Sequence, residues 1–125
     1  MQLSDDLRDS ILDSYDTYFP AGSVLELRSG APAGPNNAAG GTLIASITLP
    51  VSPWTAASAG VKSKNGLWEN LVSVAGTIGH YRLRNGVYVE EGTVTTTGGG
   101  GDMTVNTTTA YVWRSVVVES FDKTL

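Results

Sequence analysis

The chain has no cysteine, a single histidine, and charged side chains at only 16% of its 125 positions. Without cysteine there is no thiolate nucleophile, no disulfide and no cysteine-based zinc or iron–sulfur site. With His80 alone a zinc site would have to be built from carboxylates, and no EF-hand-like acidic spacing exists for calcium, so neither metal nor cofactor is expected. Cations are scarce as well: 8 Lys and Arg against 12 Asp and Glu leave a net charge of −4. Neutralising a nucleic-acid backbone takes clustered cations, and these are scattered, so nucleic acid is not an expected partner. Long apolar runs are missing: none approaches the roughly 20 residues of a membrane helix. Met1, Gln2, Leu3 and Ser4 lead into two Asp rather than into a basic and then apolar leader. The expectation is a soluble chain made in a cytoplasm, with no membrane partner. Its length is that of one domain, residues 1–125, able to bury about two-thirds of its unfolded surface without a staple.

Catalytic signatures are equally thin, and no enzyme is expected. His80 would need a serine and a carboxylate such as Asp102, yet no Gly-x-Ser-x-Gly elbow is present; the ordinary reading is a structural or exposed histidine. Glu90 and Glu91 are adjacent on a strand, so their side chains should point to opposite faces unless a bulge intervenes, which argues against a glycosidase pair. The run Gly98–Gly101 is followed by Asp-Met-Thr and a strand-like segment, not by the lysine and helix that a phosphate loop requires. A flexible hairpin loop is the better reading.

What is present is a helix followed by alternation. Leu7, Ile11, Leu12, Tyr15 and Phe19 recur at spacings of three and four. Ser4 is a suitable N-cap, Asp5, Asp6 and Asp9 sit at the positive end of the helix dipole, and Pro20 and Gly22 stop the helix. The acidic cluster reads either as a solvated face or as a surface that docks on a partner. From Ser23 the period becomes two. Strands are predicted at Val24–Ser29, at Thr42–Leu49 with Leu43, Ala45, Ile47 and Leu49 inward, and at Tyr81–Arg84 paired antiparallel with Val87–Thr96 through an Asn85-Gly86 type I′ turn. A bulge at Gly92 would bring Val94 into phase with Val87 and Val89. Val61–Ser63 and Leu67–Trp68 read as a second hairpin around Lys64-Asn65-Gly66. Met103–Val105 and a strand Ala110–Val118, apolar on nearly both faces, complete the pattern. The fold class is mainly β: an antiparallel β-sandwich or flattened barrel of six to eight strands, residues 23–125, with one N-terminal α-helix, residues 1–19.

Two features suggest contact surfaces. The loop Gly30–Gly41 is long and poor in large apolar groups, as loops that carry contacts are. Trp54, Trp68, Trp113 and Tyr81 could stack on a sugar ring; the competing reading puts Trp113 in the core and makes Trp54 a loop anchor.

The segments LSDDLRDSILDSY (3–15), SVLELRSGAPAGP (23–35), GTLIASITLP (41–50), GHYRLRNG (79–86) and EGTVTTTGGGGDMTVN (91–106), with the Val-rich terminal strand, resemble a group of small virion structural proteins of tailed bacteriophages. The resemblance covers most of the chain and carries no catalytic motif. It departs at Ala110–Arg114, where two aromatics stand in place of a more polar turn and leave the local topology open. It implies a capsid decoration or cement protein in the virion, a homo-oligomer held on the major capsid protein or other virion proteins. The contacts expected are Leu7, Ile11 and Tyr15 of the helix, Pro32, Pro35, Asn36 and Asn37 of the loop, and Trp54. Alternatives are a tail or head–tail connection protein, or a carbohydrate-binding receptor module.

Overall fold

Alternation of period two produces one strongly curled sheet in the computed structural model, which describes all 125 residues. Its strands are β1 (Val24–Ser29), β2 (Leu43–Thr48), β3 (Val61–Ser63), β4 (Glu69–Leu71), β5 (Gly76–Asn85), β6 (Tyr88–Thr96), β7 (Met103–Val105), β8 (Thr109–Ala110) and β9 (Ser115–Thr124). Their order is β2-β1-β5-β6-β7-β9-β3, with β4 also on β9 and β8 also on β5. The fold is mainly β with a short N-terminal helical segment, and the sheet curls into a half-barrel, the nearer of the two expected architectures to the flattened barrel. Between β2 and β4 the gap is bridged by the Ser73 N–H on Ile44 O (2.9 Å) and the Asn70 amide on Ser46 O (2.7 Å).

The core lies inside the curl. Leu25, Leu27, Ile47, Tyr81, Leu83, Met103, Val116, Val118 and Phe121 are at most 1% exposed, and burying each large apolar group contributes roughly 1.5–3 kcal/mol. In β2 the inward set is Ala45, Ile47 and Leu49, joined by Ile44; Leu43 is only half-buried because the β1–β2 register slips at Leu27/Arg28.

Every strand pair is antiparallel except β6–β7, which is parallel. Parallel neighbours ordinarily need a connection of a dozen or more residues. Here the segment between Thr96 and Met103 suffices, because it doubles back against its own strand. Gly98 and Gly100 take φ of 90° and 82°, and a Cβ on Gly99 or Gly101 would fall 2.7 or 2.8 Å from atoms of Thr95. The glycine run is thus a tight return fastened by Gly101 N–H on Thr95 Oγ1, not a flexible hairpin loop.

Four other local expectations are corrected. The β5–β6 hairpin forms, but Asn85 pairs with Tyr88, so the central residues are Gly86 and Val87. Only Gly86 has positive φ (60°), the signature of a type II′ rather than a I′ turn. No bulge occurs at Gly92, where the register from His80↔Thr93 to Asn85↔Tyr88 is unbroken. Instead the Tyr81 ring lies across it, leaving only 2.6 Å for a Cβ. β3 does not pair with Leu67–Trp68; both β3 and β4 pair with β9. Finally, the last strand begins at Ser115, and Tyr111–Arg114 is an exposed turn rather than buried strand.

Candidate functional site

The N-terminal segment forms α1 (Asp5–Asp13) and α2 (Tyr15–Tyr18), broken at Ser14. Ser4 caps α1, its Oγ accepting from Leu7 N–H at 3.2 Å. An ordinary surface helix turns its apolar stripe inward. Here the stripe is split: Leu12, Tyr15 and Phe19 turn inward, while Leu7 and Ile11 stay outside. Beside these apolar anchors, α1 is held by polar ones. Arg8 donates to Leu125 O (3.0 Å), Asp9 accepts from Gly60 N–H (2.8 Å), and Asp13 accepts from Ala57 N–H (2.9 Å). Lys62 of β3 is fully buried; its ammonium donates to Asp13 (2.7 Å) and Thr55 O (2.9 Å) and forms an ion pair with Asp16 (3.1 Å). The Lys62 ammonium, and then the Ala57 N–H, hold the Asp13 carboxyl below the usual range. Leu7 and Ile11, four residues apart and so on one face, stay 47% and 45% exposed.

Of the other helix residue singled out from sequence, Tyr15 is half-buried: its ring meets Phe19 and Trp54, and its hydroxyl donates to Glu90. Tyr81 donates to the same carboxylate at 2.6 Å, and Lys123 pairs with it. Burial, then the neighbouring Glu90, push both phenols well above their ordinary value. Beyond Tyr15 an apolar groove of about 430 Å³ opens between the helical segment and the β5–β6 hairpin. Tyr18, Val87 and Tyr88 line it, with the Tyr18 and Tyr88 rings 4.6 Å apart. None of these three was a contact residue expected from the sequence. Val87 had a usable signal, since a residue beside Asn-Gly stands at a hairpin tip.

The second expected surface is a loop whose base is fixed. Arg82 is nearly buried, paired with Glu91 at 2.6 Å and donating to Asn37 O at 2.9 Å; Glu91 accepts from Gly34 N–H at 2.8 Å. Arg28 reaches Gly40 O at 3.3 Å. Glu26, beneath, is destabilised by burial, but hydrogen bonds from Arg28 (3.0 Å) and Arg84 (3.2 Å) outweigh this and hold its carboxyl low. The segment therefore presents Pro35, Asn36 and Asn37 to solvent on a rigid mount, while Pro32 is half-buried.

Other candidates are removed by burial. Trp54 is not a contact residue: it is 6% exposed, its indole N–H donates to Phe19 O at 2.9 Å, and its ring meets Trp68 edge-on. Trp68 is wholly buried. Trp113, expected in the core, is 78% exposed. His80 is buried with Nδ1 2.9 Å from Gly30 O; that carbonyl only accepts, so Nδ1 carries the proton, and Nε2 has no partner. Neither a carboxylate nor a hydroxyl engages its ring, so no catalytic triad is assembled. Glu90 and Glu91 point to opposite faces, as strand geometry required. No group of three or more His, Asp or Glu side chains is arranged to hold a metal ion, and no helix is long and apolar enough to cross a membrane. No protein-family model, curated protein sequence or solved structure matches the chain.

Proposed function

We propose that the protein is a structural component of a tailed-phage virion, a decoration or cement protein that docks on the head lattice through the outward face of its N-terminal helix. One observation carries this reading. The helix uses carboxylates to hold its own barrel and keeps Leu7 and Ile11 in water, an arrangement that costs free energy in the isolated chain and is relieved when a partner covers them. The rigidly mounted Pro35–Asn37 tip offers a second contact. A small interface of this kind suffices on a lattice, because symmetry repeats it and a homo-oligomer engages several sites together. The partner is then the major capsid protein, or another repeating virion protein.

The test is binding of the isolated protein to empty heads, comparing wild type with a Leu7→Asp/Ile11→Asp double variant. Both positions face water, so the variant keeps its fold, while loss of two apolar anchors weakens binding by at least about tenfold. Head binding that is unchanged in the variant, or absent in wild type, would overturn the proposal. Copy number in purified particles separates the head from the tail: a lattice protein approaches the abundance of the capsid subunit, and a tail or connector component stays far below it.

A further inference from the structure

The turn joining β8 to β9 carries features that lattice docking does not use. Tyr111 O accepts from Arg114 N–H at 3.1 Å, and Trp113, at the third position, has φ of 69°. Glycine is the residue that position favours in a type II turn. The conformation is imposed from both sides by Val72, whose carbonyl takes the Trp113 N–H (3.1 Å) and whose N–H binds Arg114 O (2.8 Å). The result is an indole 78% exposed, with Tyr111, two residues earlier, 63% exposed. Strain held in this way collects at functional positions.

The Tyr111 ring lines a cleft of about 430 Å³ together with Thr109, Arg114 and Ser115 among others, and Trp113 stands between Tyr111 and Arg114 in the chain. Arg114 is distinctive. Of the 8 basic side chains, six are in ion pairs and Lys64 donates to Gly66 O, which leaves Arg114 the one cation whose side chain has no polar partner. The Thr109, Tyr111 and Ser115 hydroxyls are likewise unengaged within the chain. Flat exposed rings accept the C–H face of a pyranose, hydroxyls match its hydroxyls, and a free guanidinium binds a carboxylate or sulfate through two parallel hydrogen bonds.

We propose that this turn and cleft form a binding site for an acidic saccharide, one bearing carboxylate or sulfate groups. Trp113 and Tyr111 supply the stacking surface and Arg114 selects the charge. The aromatic platform is therefore not the Trp54 and Trp68 pair, which is internal. Neither Trp113 nor Arg114 belongs to the helix, so this site and lattice docking succeed or fail separately.

The experiment is affinity electrophoresis of the full-length protein through gels containing polygalacturonate, dextran sulfate, neutral dextran or poly-glutamate. The net charge of −4 opposes unspecific attraction to any polyanion. Trp113→Gly removes the ring while keeping the backbone conformation unstrained, and Arg114→Gln removes the charge; circular dichroism checks that both fold. The expected result is retardation by at least one acidic polysaccharide and not by dextran, weakened about tenfold in each variant. No retardation by either acidic polysaccharide, equal retardation by poly-glutamate, or variants that behave as wild type would each overturn the assignment.

Discussion

At Trp113 a side chain holds its backbone in a region that glycine occupies at no steric cost. Left-handed backbone disfavours L-residues by roughly 1–2 kcal/mol, and glycine gives back about 0.4–1 kcal/mol through the freer unfolded chain. Because the indole is 78% exposed, its loss removes little packing. Trp113→Gly should thus raise the unfolding free energy by up to about 1 kcal/mol, read from the denaturant midpoint at unchanged slope. A fall in stability would mean the ring is packed. The opposite holds at Gly92, where a Cβ would lie 2.6 Å from the Tyr81 ring and 2.8 Å from the Asp102 carboxylate. Gly92→Ala should cost about 2 kcal/mol by overpacking, and a chevron or melt within 0.5 kcal/mol of wild type, roughly the spread of neutral surface changes, would contradict that contact. Neither residue's role was legible in the sequence. Indole is large and apolar, so composition sends it inward by default, and only the hydrogen bonds from Val72, distant in the chain, hold Trp113 out. Gly92 was read as a bulge from the parity of neighbouring valines, yet Glu90 sits on the inward face, stabilised there by Tyr15, Tyr81 and Lys123, so parity alone misjudged the phase.

Elements whose partners are near in sequence were readable. The β5–β6 hairpin, β1, β2 and the capped helix all follow from local pattern, because turn chemistry and period fix them before tertiary contacts do. Val61–Ser63 was misassigned to Leu67–Trp68 because its true partner, β9, lies at the far end of the chain, where β4 pairs as well. The parallel β6–β7 step was hidden for a different reason: a short glycine segment normally signals a hairpin. The helix was found, but not its orientation. Its apolar spacing is genuine, while the competing claim of Lys62, buried without solvent, on Asp13 and Asp16 decides which side faces the barrel. Lys62→Ala should therefore loosen the whole element. Its acidic partners are half-exposed and regain water, so the loss stays below the 3–5 kcal/mol of a fully buried pair broken on one side, at about 2 kcal/mol. Hydrogen exchange should show the amides of residues 5–18 exchanging faster than those of β1 and β5. Uniform protection in this variant would instead place the anchoring in Leu12 and Phe19 alone.

Across the whole molecule, the ionisable groups that tie outer pieces to the sheet define a window of pH. Glu26 under the loop and Asp13 on the helix have folded values held below 4.5 and 3.8, their ordinary ones. Their stabilisation is complete above those ordinary values and disappears as pH falls through the lowered ones. At the other limit, Tyr15 and Tyr81 are held above 10, so their contribution is complete below that value and is lost as pH rises through the raised ones. Two measurements separate these limbs. The stability advantage of wild type over Glu26→Gln should be about 2 kcal/mol at neutral pH and shrink below pH 4.5; an advantage independent of pH would show that Glu26 is not ionised in its pair with Arg28 and Arg84. In a spectrophotometric titration, Tyr15 and Tyr81 should ionise only with alkaline unfolding. Because Tyr15 and Tyr81 share Glu90, removing that carboxylate links the scales. Glu90→Gln takes away the anion that disfavours both phenolates and keeps an acceptor for their hydroxyls, so the late ionisation of Tyr15 and Tyr81 should move to lower pH. If it stays in place, burial alone governs the two phenols, and Glu90 does not couple the helix to the barrel electrostatically.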